Sequence, residues 1–118
     1  MIGGITMKEL VLRYLEQNYS EMVEVRRHLH MHPELSHQEI NTPAFIADQL
    51  EAVGVEVKRG VGGRGVVGTI RGGKPGKTIA FRSDFDALPI QDMKTVPYKS
   101  TVPGVMHACG HDGHTAAL

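Results

Sequence analysis

The hydrophobic period of this chain changes once, at Gly54, and that change constrains the fold more than any other feature. Before it, Leu10, Tyr14 and Leu15, then Met22, Val25 and Leu29, recur at helical spacings. After it, Val55 and Val57, then Val66, Val67, Thr69 and Ile70, then Thr78 to Phe81 read as strands. Local signals set the boundaries. Thr6 with Glu9 forms a capping-box signature that predicts the first helix start, and Pro33 ends the run. Thr42 as N-cap, Pro43 in the first turn and Gly54 as the stop predict a second helix, with Ile46, Leu50 and Val53 on one face. Lys74-Pro75-Gly76-Lys77 predicts a type II turn between two strands. From Asp84 to Met106, with prolines at 89, 97 and 103, the pattern is that of a loop. The run after Gly110 predicts a helix start, and Thr-Ala-Ala-Leu carries no stop signal, so the expectation is that these 118 residues open a longer chain.

Charge excludes several functions. Thirteen Lys and Arg balance thirteen Asp and Glu, so the whole chain makes no case for nucleic acid or an anionic membrane as partner. The charges are segregated, however, and residues 57–82 hold seven bases and no acid. No aromatic interleaves those bases before Phe81, so a solvated basic face is preferred to a nucleic-acid groove. Gly60-x-Gly62-x-x-Gly65 has the letters of a dinucleotide loop, but strand-like Val66 to Ile70 follows where a helix N-terminus should hold the pyrophosphate. Gly76-Lys77-Thr78 resembles the end of a Walker A loop, yet Arg71 stands at its first glycine position. Met1 to Thr6 lacks a basic leader pattern, and no segment approaches 18 consecutive apolar residues. The single cysteine, Cys109, has no internal disulfide partner, which makes a reducing cytoplasm the expected compartment.

The seven histidines point to metal or proton chemistry. His28 and His32 share a helix face at i, i+4, but Leu29 replaces the Glu of a helical zinc motif, so a surface role or one supporting a ligand from behind is favoured. The C-terminal segment is denser: His107, Cys109, His111, Asp112 and His114 place five potential ligands in eight residues on a glycine-containing loop. Borderline metals accept both thiolate and imidazole. Asp84-x-Asp86 follows the apolar run ending at Phe81, where carboxylates can hydrogen-bond a metal-ligating His.

Three blocks carry a family resemblance: Arg26 to Ser36 (RRHLHMHPELS), Phe81 to Pro89 (FRSDFDALP) and Met106 to Thr115 (MHACGHDGHT). Together they resemble, in order and in register over residues 8–118, the N-acyl-amino-acid amidohydrolases. That family includes hippurate hydrolases and plant auxin-conjugate hydrolases, within the dinuclear metallopeptidases. The resemblance implies an α/β fold, with residues 1–118 as the N-terminal portion of an α/β/α sandwich catalytic domain, truncated here and interrupted later by a smaller dimerisation domain. It implies hydrolysis of an N-acyl amino acid by metal-activated water, a homodimeric parent, and two divalent metals drawn from zinc, manganese, cobalt or nickel. Within this chain it implies Cys109 and His111 as metal ligands and Asp86 as the group that orients the site. Asp84 stands where the wider clan has a ligating His and receives no role, and His107 and His114 are held back as groups around the site or substrate. The family's general base is one of two adjacent glutamates, and no Glu follows Glu56, so the chain alone is expected to be inactive. The competing reading is a metal-binding or interaction fragment without catalysis.

Overall fold

The computed structural model describes residues 3–118. Its elements are α1 (Met7–Met31), α2 (Asn41–Ala52), β1 (Glu56–Val61), β2 (Gly65–Thr69) and α3 (His111–Ala117). Thr6 begins α1 as expected: its hydroxyl accepts from the Glu9 amide at 3.2 Å, and its own amide donates to the Glu9 carboxylate at 2.8 Å. The helix stops at His32, beside Pro33. Gly54 ends α2 at φ 82°, a conformation that costs glycine little.

The start of α2 differs from expectation. Thr42 lies inside the helix and is buried, and no side chain at the cap position serves the free amides. Glu34 does so from outside the helix, its carboxylate accepting from the amides of Ile40 at 2.9 Å, Asn41 at 3.1 Å and Thr42. A carboxylate reaching the same amides from the preceding loop leaves Thr42 no capping task.

The strands β1 and β2 form an antiparallel hairpin, Glu56 opposite Thr69 and Val61 opposite Gly65. Gly60 is the extra residue between the Arg59–Val66 and Val61–Gly65 pairs, and its φ of 71° makes it the left-handed residue of a bulge. The strand after Gly60-x-Gly62-x-x-Gly65 is therefore real, and no helix follows that could hold a dinucleotide. Thr78 to Phe81, by contrast, forms no strand: Ile79 and Phe81 are about four-fifths exposed, and no neighbour among the described residues completes a ladder. No backbone hydrogen bond closes a turn over Lys74–Lys77, and the chain only bends at Gly73–Lys74. A turn joining two strands has no geometry to impose when one of the strands is unpaired.

Helix α2 packs on the hairpin and α3 on the end of α1. The radius of gyration is 16.4 Å, against about 13.5 Å for a compact chain of this length. The interior matches that openness: among the described residues Leu29, Ala47 and Ala87 are the buried apolar side chains, while His30, Glu39, Thr42, Asp92, Ser100, His107 and Asp112 are buried polar ones. No described helix is long and apolar enough to cross a membrane.

Candidate metal centre

The long loop after Phe81 is tied to the end of α1 by backbone bonds. The Ala87 amide donates to the Glu34 carbonyl at 2.8 Å, and Leu88 and Met106 exchange two bonds of 3.0 Å. The Thr101 amide reaches the Met31 carbonyl at 2.9 Å. These bonds bring the 84–88 and 106–111 segments, distant in sequence, side by side.

There the structure joins two of the expected residues. His111 Nδ1 lies 2.8 Å from the Asp86 carboxylate and 3.0 Å from the Asp86 carbonyl oxygen. A carbonyl oxygen only accepts, so Nδ1 carries the proton, and in the neutral ring Nε2 keeps its lone pair. Both side chains remain partly open, at 21% and 29% exposure. Cys109 is exposed, two residues earlier. Gly110 between them stands at φ 91° as the N-cap of α3, so the chain turns sharply from the thiol into the helix that begins with His111. Among the described residues no three His, Cys, Asp or Glu side chains converge as a cage for a cation. Cys109 and His111 thus stand close in sequence without a third such side chain converging on them.

The other candidates are placed differently. Asp84 pairs with Arg82 at 2.7 Å, and its carbonyl accepts from the Thr115 hydroxyl at 3.0 Å. The His114 ring lies 6.2 Å from that of His111 and is exposed. His107 is buried, neither ring nitrogen has a hydrogen-bond partner, and burial holds its pKa below the usual value. His28 stacks on Phe45 at 4.1 Å and lies tilted against His32 at 4.6 Å. That is packing, in keeping with the surface role favoured for the pair. A cavity of about 530 Å³ opens beside His111 and Asp86, and its wall includes Ser36, His37, Arg64 and Arg82.

The sequence did not reveal the most buried polar cluster. His30 Nδ1 donates to Asp112 Oδ2 at 2.7 Å, and Arg26 Nε reaches the same oxygen at 2.9 Å. On its other side His30 Nε2 lies 3.4 Å from Asp92. The Lys94 ammonium, at 2.8 Å, and the Ser100 amide, at 2.9 Å, hold the Asp92 carboxyl well below the usual carboxylate range. A usable signal did exist, since Arg26 and His30 stand at i, i+4 and present two donors to one point.

Comparison with known proteins points to one family. Residues 80–118 match the model of peptidase family M20/M25/M40. The chain is 53% identical to thermostable carboxypeptidase 1 of Saccharolobus solfataricus over 82% of its own length and 25% of that protein. It is 46% identical to the N-acyl-L-amino acid amidohydrolase of Geobacillus stearothermophilus, over 94% of itself and 30% of that protein. The crystal structure of a Bacillus subtilis dinuclear metal binding peptidase from the M20 family superposes with a TM-score of 0.83 at 43% identity, covering 87% of this chain and 29% of the other. The chain thus carries part of the sequence and fold of the M20/M25/M40 peptidases, and it spans between a quarter and a third of the length of the relatives it matches.

Proposed function

We propose that this chain supplies the first part of the catalytic domain of a metal-dependent amidohydrolase acting on N-acyl amino acids. Its share of the metal centre is Cys109 and His111, with Asp86 orienting the imidazole. The observation that carries the reading is the contact between His111 Nδ1 and Asp86, because a carboxylate holding one ring nitrogen leaves the other free to ligate and makes it a better donor. The donor chemistry fits a borderline divalent cation, which accepts a thiolate and an imidazole together. When bound, such cations supply Lewis acidity toward an amide carbonyl and acidify water. The chain's own part is to present the thiolate and Nε2 from either side of the Gly110 turn, with His111 and Asp86 on the wall of the cavity. The remaining ligands, the general base and a dimerisation domain belong to the longer protein that the relatives' lengths indicate. A reducing cytoplasm suits a free, exposed Cys109.

Cobalt titration tests this reading on the chain itself. A thiolate bound to Co²⁺ absorbs in the near ultraviolet, so the chain should show that band. Cys109→Ser should abolish it and His111→Ala should weaken binding about tenfold or more. A band that survives Cys109→Ser would refute the ligand assignment. Hydrolysis of hippurate by the chain alone should be absent, because no Glu follows Glu56 to act as base.

A further inference from the structure

We infer that His30 is a positioning residue for the Cys109–His111 segment, acting through Asp112; the inference deepens the metal-centre reading and rests on it. Helix α3 has seven residues with Gly113 inside it. Isolated helices need about 12–15 residues to be even marginal in water, and an interior glycine costs about 1 kcal/mol more. Its N-cap is Gly110, which has no side chain to serve the free amides. The first turn is therefore held by tertiary contacts, and Asp112 is the one buried residue of the helix.

Asp112 is gripped from α1. One of its oxygens receives both His30 Nδ1 and Arg26 Nε. Arg26 is about a third exposed, whereas the His30 side chain is 2% exposed and has its second nitrogen facing Asp92. One nitrogen of the imidazole thus holds Asp112, while the other has no hydrogen-bond partner among the described residues and faces Asp92, a carboxylate itself held by Ser100 and Lys94. The next residue back, His111, is held by Asp86. Neighbouring residues of one helical turn are therefore pinned to two different parts of the chain, which sets the rotation of that turn. The same rotation sets where His111 directs Nε2 and where the Gly110 turn carries Cys109.

The experiment compares the 118-residue chain with His30→Phe, which keeps a ring but removes the donor, and His30→Asn, whose amide nitrogen can replace Nδ1. Ring nitrogen shifts of His111, read by NMR at pH 8 without metal, report its tautomer, and Co²⁺ titration reports the ligand pair. His30→Phe should convert His111 from the Nδ1–H tautomer to a mixture and weaken Co²⁺ binding about tenfold, the low end for a lost outer hydrogen bond. His30→Asn should recover most of both. A merely structural role would lower stability while leaving the tautomer and the affinity of the folded molecules unchanged. A folded His30→Phe protein with the parent tautomer and Co²⁺ affinity within twofold would overturn the inference. If circular dichroism shows that His30→Phe does not fold, Asp112→Asn is judged by the same two readouts. A parent chain that shows no thiolate–cobalt band defeats the metal-centre reading, and the tautomer then decides the positioning role alone.

Discussion

The two halves of α1 are held in opposite ways. Its last turns end in Leu29 and His30, both buried, with Arg26 and His30 bonded to Asp112, which follows His30 by 82 residues. Its first turns carry Leu10, Val11, Leu12, Tyr14, Leu15 and Tyr19, all of them exposed. The half richer in apolar residues is uncovered, and the half whose polar side chains reach Asp112 is the anchored one. Burial in this chain therefore follows hydrogen-bonded polar groups more than apolar area, and order at the candidate metal centre comes from that polar grip.

The comparison is broken most directly at Asp112. Asp112→Ala removes the acceptor shared by two buried or half-buried donors, and loss of one partner from a buried pair costs about 3 kcal/mol. Leu12→Ala on the other half should change stability by no more than about 0.5 kcal/mol, as expected of an exposed position. Urea unfolding followed by circular dichroism measures both. Equal losses at the two sites would show that the halves are held alike.

A second test addresses the exposed half in solution. Six large apolar side chains along one stretch of helix exceed the scattered exposure that is normal for a monomer, so copies of the chain should associate through them. Covering the half-exposed Leu12 and Leu15 is worth about 2 kcal/mol together, or about 30-fold in association. Sedimentation should show a concentration-dependent assembly that Leu12→Glu with Leu15→Glu reduces to monomer, while Asp112→Ala leaves its interface intact. A parent chain sedimenting as a cooperative monomer at every concentration would overturn this expectation.

What could be read from the sequence was local. The Thr6–Glu9 cap, the stop at Pro33, the turn at Gly54 and the helix start after Gly110 each depend on residues within one turn of each other, and each is present. The expected strand at Thr78 to Phe81 failed because a strand exists only with a hydrogen-bonding neighbour, and none is present among the described residues. Thr42 failed as a cap because Glu34, eight residues earlier, reached the same amides. The Asp84-x-Asp86 pattern suggests a carboxylate for a ligating His, but it does not single out His111, since 25 residues separate Asp86 from it and no spacing rule joins a loop carboxylate to a later helix. His30 and Asp112 lie 82 residues apart, and neither periodicity nor motif spacing links them.

The smallest expected effect tests whether the polar grip extends to the next element. Partial burial pulls the Glu34 carboxyl upward, but the Thr42 side chain and amide, followed by the Ile40 and Asn41 amides, together hold it below its usual 4.5. A carboxyl whose folded pKa is depressed stabilises the fold above its unfolded pKa, and that contribution is lost as pH falls through the folded value. The α2 contribution should therefore be complete at pH 7 and decline once pH drops below about 4.5. Glu34→Gln keeps an acceptor but removes the charge facing the positive end of α2, at a cost of about 1 kcal/mol at pH 7. Below the folded pKa the parent carboxyl is neutral as well, so the two proteins should converge in acid. Paired urea titrations at pH 7 and pH 3 measure the gap at each pH. A gap that stays constant would mean that Glu34 acts through shape alone, confining the electrostatic grip to the Asp112 side of α1.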